Sequence, residues 1–320
     1  MAHIKKSNST DDLGFGLKSS DRNMNKDGSF NVERLGEPKF RPYEIFHELI
    51  TMSWTKFILL ILVGYFSINL IFAVIYFFIG TDHLTGVALK ISEIRKFSEA
   101  FFFSSQTLTT LGYGRVAPIG IEASAIAAVE SMIGLLSFAL ATGLLYGRFS
   151  RPQAKLIYSE NAIVAPYKDM TGVMFRVANM RRNQLIEVEV DITLAWFEKD
   201  SKTRSFTRLT LERNKINLFP SSWTIVHPID ENSPFSGLTE ADILDLKIEM
   251  IILLKAFDDT FSQTIYSRTS YKSSEIKVGK KFIPMFNTQE NGKTLLDLRL
   301  IDAMETVELP QQNMMQLENA

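Results

Sequence analysis

Residues 101–114 read FFFSSQTLTTLGYG, and what flanks this stretch decides the fold. Upstream, Phe57–Ile79 is an uncharged apolar run, and downstream Ala123–Tyr146 is a second run broken only by Glu130 and rich in Ala, Ser and Gly. At about 1.5 Å rise per residue, each run spans the ~30 Å hydrocarbon layer as a helix. The small residues of the second run let helices approach closely in lipid. Between the runs, Glu99–Thr107 (EAFFFSSQT) is apolar but too short to cross a bilayer. It fits a re-entrant half-helix shielded by protein.

The pentapeptide Thr110-Leu111-Gly112-Tyr113-Gly114 follows that half-helix. A loop that strips water from an ion must offer several oxygens at close range, with no side chain in the way. Gly112 and Gly114 permit backbone conformations that turn successive carbonyls toward one line. The TVGYG loop, whose carbonyls in four copies replace the hydration shell of potassium, differs from this one only by Val for Leu111. One copy supplies a quarter of each oxygen ring, so a homotetramer follows from the chemistry. K+ is expected at Thr110, Leu111, Gly112 and Tyr113, with Leu111 turned away from the ion path and Tyr113 packed outward to hold the loop at its working diameter. The carbonyl end of the half-helix favours a cation in the cavity beneath. A phosphate-cradling glycine loop is excluded, because no strand precedes the motif and no Lys follows in the required place.

The net charge of -1 removes nucleic acid from the expected partners, and the absence of cysteine removes disulfides and thiolate metal sites. The first apolar run starts only after about fifty polar residues, unlike a cleavable signal peptide. Residues 1–35, rich in Ser, Asn, Asp, Lys and Gly, are expected to be disordered. Residues 36–53 include PYEIFHELITMSW, where Tyr43, Phe46, Leu49, Ile50 and Trp54 recur at helical spacing. That is an amphipathic helix, expected to lie along the membrane interface with Lys39, Arg41 and Lys56 near the lipid heads, the alternative being a helix in a soluble core. The membrane part then occupies residues 54–151: an outer helix at 57–79, a pore helix with its loop at 96–114 and an inner helix at 123–149. Two spans put both termini on one side, and Arg148, Arg151 and Lys155 mark that side as cytoplasmic.

Within the inner helix, Glu130 is an ionisable group in lipid, expected either behind the loop or hydrated near the interface. Gly134 and Gly143 serve as hinges or as points of close packing. Phe138, Leu145 and Tyr146 are bulky enough, in four copies, for a constriction that closes by dewetting, with Tyr146 narrowest. Arg148, Arg151 and Lys155 form a rim suited to anionic lipid heads or simple anchoring.

After Pro152 the period changes to two. Ile186, Val188, Val190, Ile192, Leu194 and Trp196 alternate with Glu187, Glu189, Asp191 and Thr193, as in a half-buried strand. Further short apolar runs at 174–177, 223–229, 248–257 and 282–286 suit an all-β, immunoglobulin-like sandwich over residues 152–305, followed by a tail at 306–320. It holds no nucleophile with a base, no metal cluster and no nucleotide loop, so neither an enzyme nor a small-molecule substrate is expected. His227 stands alone and is expected to be structural.

Across residues 36–305 the chain resembles the inward-rectifier potassium channels, most closely their prokaryotic branch. The resemblance rests on the helix before Trp54, on FFFSSQTLTTLGYG and GLLYGRFSRP, and on MFRVANMRRNQLIEVEV and SWTIVHPIDENSPFSGLT. It implies a tetramer in a bacterial inner membrane, an ion pathway extended by the sandwiches, and control by anionic lipids, phosphoinositide among the candidates. It also implies an aromatic constriction at Tyr146 and an acidic pathway position at Glu187. Four departures matter. Phe138 and Lys255 replace acids found in strong rectifiers, Gln106 stands where many relatives hold Glu behind the filter, and the outer cysteine pair is missing. A less selective ligand-gated cation channel and a non-conducting tethered sandwich remain as alternatives.

Overall fold

The computed structural model describes residues 22–33, 35–36, 44–88, 92–150, 154–198, 204–288 and 292–310. The chain divides into two compact units, one of residues 36–151 and one of residues 152–320 with the N-terminal segment to Leu35.

The first unit is helical. Helix α1 (Ile45–Thr51) is followed by α2 (Trp54–Ile79), α3 (Glu93–Leu108) and α4 (Gly120–Phe149). Among the described residues, α2 and α4 are long and apolar enough to cross a membrane. Both start earlier than their apolar runs suggest: Trp54 and Lys56 lie inside α2, and α4 begins at Gly120. Residues 37–43, with the expected Lys39 and Arg41 sites, lie outside the described residues. Helix α3 packs on α2 through Phe72, Tyr76, Ala100 and Phe103, with the Tyr76 and Phe103 rings edge to face at 5.0 Å. A short ribbon of β1 (Leu84–Thr85) and β2 (Ala117–Pro118) ties the segment after α2 to the segment before α4.

The second unit is a β-sandwich. One sheet runs β11-β10-β6-β7 with β8 also on β6, and the other runs β12-β4-β5-β3 with β9 also on β5. Their strands are β3 (Leu156–Tyr158), β4 (Ala162–Tyr167), β5 (Met170–Asn179), β6 (Leu185–Phe197), β7 (Arg204–Arg208), β8 (Lys215–Leu218), β9 (Ser222–Ile229), β10 (Glu249–Asp258), β11 (Gln263–Lys272) and β12 (Ile276–Val278). Pairing is antiparallel except between β4 and β12. Along β6 the expected alternation buries Val188, Val190, Ile192 and Leu194 and exposes Glu187 and Asp191. The inner faces meet in one core that joins Phe175, Val177 and Ile225 to Leu194, Met250, Ile252 and Leu254. Each fully buried side chain of this size is stabilised by about 1.5–3 kcal/mol.

Two expectations change. Residues 22–33, assigned to a disordered tail, form a turn with a bridge between Met24 and Phe30, and Met24 is buried. The strand β13 (Lys280–Phe282) pairs with Met304–Thr306, and Val307 N donates to the Gly279 carbonyl at 3.0 Å, so the ordered sandwich passes residue 305. The rest of the expected tail, after Pro310, lies outside the described residues.

Candidate functional site

Helix α3 ends where the TLGYG loop begins, and its last carbonyls hold the loop. Thr110 N donates to Thr107 O at 3.0 Å, while Leu111 N and Gly112 N both reach Gln106 O, at 2.8 and 3.4 Å. Gln106 thus meets the loop through its backbone carbonyl. Thr110, Gly112 and Gly114 have positive φ (56°, 53° and 80°), whereas Leu111 and Tyr113 do not. A strand of single handedness points successive carbonyls to opposite sides; alternation in the sign of φ turns them the same way. Glycine adopts positive φ freely, but a β-branched Thr does so at a cost of roughly 1–2 kcal/mol. The strain at Thr110 has no signal in the sequence. Leu111 and Tyr113 are exposed on the single subunit.

Behind the loop lies a buried polar network. Glu130 on α4 is fully buried and accepts hydrogen bonds from the Tyr76 hydroxyl of α2, at 2.7 Å, and from the Ser104 hydroxyl of α3. Ser104 lies 3.2 Å from the side-chain oxygen of Asn69, whose amide donates to Tyr65 O at 2.8 Å. Glu130 is thus packed among α2, α3 and α4. Tyr76, Ser104 and Asn69 were missed as partners because nothing in their spacing pairs three separate helices. Gly134 stands against α3, where an added Cβ would collide with the backbone carbonyl of Leu108, whereas a Cβ on Gly143 would meet nothing within 4 Å. Both lie inside continuous α4.

Toward the end of α4, Phe138, Leu145 and Tyr146 are exposed on the single subunit, Phe138 and Tyr146 at 73% each. Arg148 follows, and its surroundings differ from a lipid-facing rim. Its terminal nitrogens donate to Leu49 O at 2.7 Å and Met52 O at 2.6 Å, while its guanidinium lies over the rings of Trp54 (4.7 Å) and Phe57 (4.4 Å). The last carbonyls of a helix have no intrahelical donor, and a cation there also meets the negative end of the dipole. Arg148 therefore caps α1. Lys56 and Lys155 are exposed, and Arg151 lies outside the described residues.

In the sandwich, Glu187 is exposed at φ 50° where the β6–β10 register shifts, a bulge that re-aims its side chain. Beside it Glu189 lies 3.9 Å from the Lys255 ammonium. His227 is buried. Its Nδ1 faces the Thr210 carbonyl and its Nε2 the Ser233 hydroxyl, each at 2.7 Å. A carbonyl only accepts, so Nδ1 carries the proton and Nε2 takes that of Ser233. Burial pushes the imidazole pKa below its usual value. Among the described residues, no group of three or more His, Cys, Asp or Glu is placed to hold a metal.

Two family models match. The inward rectifier potassium channel transmembrane domain covers residues 24–152, and the inward rectifier potassium channel C-terminal domain covers residues 156–320. The chain is 35% identical over 281 residues to inward rectifier potassium channel Kirbac3.1 of Paramagnetospirillum magnetotacticum, covering 87% of this chain and 93% of that one. It is 27% identical to G protein-activated inward rectifier potassium channel 2 of Mus musculus, covering 85% and 68%, and 25% identical to ATP-sensitive inward rectifier potassium channel 12 of Bos taurus, covering 84% and 68%.

Proposed function

Because the chain belongs to the inward-rectifier potassium channel family, and so is a membrane-embedded potassium channel rather than an enzyme, we propose that Thr110–Gly114 is its selectivity filter. The observation that carries this assignment is the alternation in the sign of φ, which aligns carbonyls that water would otherwise hydrate. Four such loops around an axis form rings of oxygens at Thr110, Leu111, Gly112 and Tyr113, and each ring takes the place of part of the K+ hydration shell. A homotetramer is therefore part of the proposal, with both termini in the cytoplasm beneath a bacterial inner membrane.

The remaining residues take roles around that loop. Glu130, with Tyr76 and Ser104, braces the α3 end, and Gly134 lets α4 approach it. Tyr146, with Phe138 and Leu145, forms the apolar constriction at the inner end of α4. Anionic lipid heads act on the exposed Lys56 and Lys155 and on the α1–α4 junction that Arg148 closes. Glu187 faces the ions after they leave the membrane, and pairing with Lys255 offsets the charge of neighbouring Glu189. That pairing supports a weak grip on multivalent blocking cations.

The test is cation flux into liposomes. Wild-type protein is expected to carry rubidium and potassium and to exclude sodium and lithium. Gly112→Asp should abolish flux in a protein that still elutes as a tetramer, because it forces a charged side chain onto a left-handed backbone position. Selective flux surviving that substitution would refute the filter assignment.

A further inference from the structure

The two ends of the TLGYG loop are held differently. Its start rests on the last carbonyls of α3, through Gln106 O and Thr107 O. Past Gly112 that support stops: among the described residues, the amides of Tyr113, Gly114 and Arg115 reach no backbone acceptor. Gly114 itself, at φ 80°, gives the backbone no side-chain restraint. The chain is caught again by the ribbon, where Leu84 pairs with Pro118 and Thr85 with Ala117. The Thr85 hydroxyl donates to Ala117 O and accepts from Ala117 N, both at 3.1 Å, and Ile119 N donates to His83 O at 2.7 Å. Leu84 and Val116 are buried beside Phe72, Tyr76 and Phe103, which seats the ribbon on α2 and α3.

Arg115 joins the loop to this ribbon and is held through both its polar groups. Its guanidinium pairs with Glu99 on α3. Its carbonyl lies against the backbone of Gly86, at φ 74°, where an added Cβ would collide with it. A carbonyl packed on a glycine backbone turns only if one main chain or the other moves, so Gly86 fixes the direction in which the chain leaves Gly114. The Arg115 side chain is 56% exposed and that of Glu99 21%, and ion pairs so open to water contribute little. Gly86 therefore does most of the holding, and the pair adjusts it.

We propose that Gly86 and Glu99 are positioning residues that clasp Arg115 and thereby set the last oxygen ring of the loop, that of Tyr113. The clasp works at the far end of the loop from Gln106. Loosening it lets the Tyr113 carbonyl turn out of line, so that this ring no longer replaces the water around K+ in a fixed geometry and sodium competes. The proposal rests on the reading of Thr110–Gly114 as the selectivity filter.

The experiment uses the full-length protein in liposomes and reads the ratio of rubidium to sodium flux, with thermal unfolding in detergent as the control for a general structural loss. Glu99→Gln and Arg115→Gln are each expected to lower the ratio by up to about fivefold, the upper end for partly exposed ion pairs, at an unchanged unfolding temperature. Exchanging the charges, Glu99→Arg with Arg115→Glu, should restore most of it. Gly86→Ala should lower the ratio further, because backbone there meets backbone; should that variant fail to fold, the pair variants decide. A wild-type ratio in Glu99→Gln and Arg115→Gln, or in a folded Gly86→Ala, overturns the clasp, as does an exchange variant no better than either single change. So does a total flux that rises with Arg115→Gln and falls with Glu99→Gln at constant ratio, since that pattern marks charge near the pathway rather than position. Gly112→Asp keeps the two readings apart: flux lost there, with wild-type selectivity in the clasp variants, leaves the filter standing and removes the clasp.

Discussion

Arg148 caps α1 rather than lining a lipid-facing rim: its two terminal nitrogens bind the carbonyls of Leu49 and Met52 while Trp54 and Phe57 cover its faces. The end of α4, the end of α1 and the start of α2 are joined by one planar cation. Hydrogen bonds from a charged donor contribute roughly 1.5–3 kcal/mol when well shielded, and this half-buried pair belongs at the lower end. Arg148→Gln should therefore alter potassium flux strongly. Arg148→Lys should recover only part of the wild-type response, because an ammonium can neither fork to two carbonyls nor stack between rings. Flux titrated against anionic lipid separates this role from simple lipid binding: a lipid ligand would be largely rescued by Lys.

Tyr76→Phe removes one of the two hydroxyls that Glu130 accepts from. A buried acceptor left short of a donor costs about 1–3 kcal/mol. The variant should unfold at lower temperature in detergent and discriminate less between potassium and sodium. Phe fills nearly the same space, so unchanged unfolding and selectivity would show that the hydrogen bond does not brace the loop.

Gly134 and Gly143 should separate cleanly. Gly134→Ala drives a methyl group into the Leu108 backbone carbonyl just before the TLGYG loop, where no flexible side chain can yield. Loss of selective flux is expected. Gly143→Ala meets nothing, and in a helix interior it removes a penalty of roughly 0.5–1 kcal/mol. If Gly143 is a hinge, its alanine variant will slow opening; if packing is the rule in α4, flux will stay near wild type.

His227 gives the sandwich a dependence on pH. Its folded pKa lies below the unfolded one because burial disfavours the imidazolium. Stability from the neutral ring is therefore complete above the unfolded value of about 6.5 and falls away as pH drops from there toward the lowered folded value. Thermal denaturation of the sandwich should move to lower temperature between about pH 7 and pH 5. His227→Gln should flatten that part of the profile, and an equal slope in the variant would assign it to other groups.

The elements that could be read from sequence were those whose meaning is local. Two apolar runs and one strict alternation in β6 sufficed for the helical unit and the β-sandwich. Partnerships across the chain could not be read. Arg148 looked like a lipid contact because spacing shows a basic residue at a helix end but not the two carbonyls brought to it from α1. Residues 22–33 looked disordered for the same reason: their composition is polar, and the groups that order them, Glu249, Ser270 and Glu275, lie more than two hundred residues away. The positive φ of Thr110 was hidden because Thr ordinarily avoids it.

That distance also constrains biosynthesis. Asn23 is made before the carboxylate that receives it, which is encoded 226 residues later, a wait on the order of ten to forty seconds at ordinary elongation rates. Throughout that interval residues 22–33 have no Glu249 to bind. Their largely polar sequence suits such a delay, since a more apolar segment would invite premature association with neighbouring nascent chains. Residues 22–33 are thus made early and fastened late, once β10 and β11 are in place.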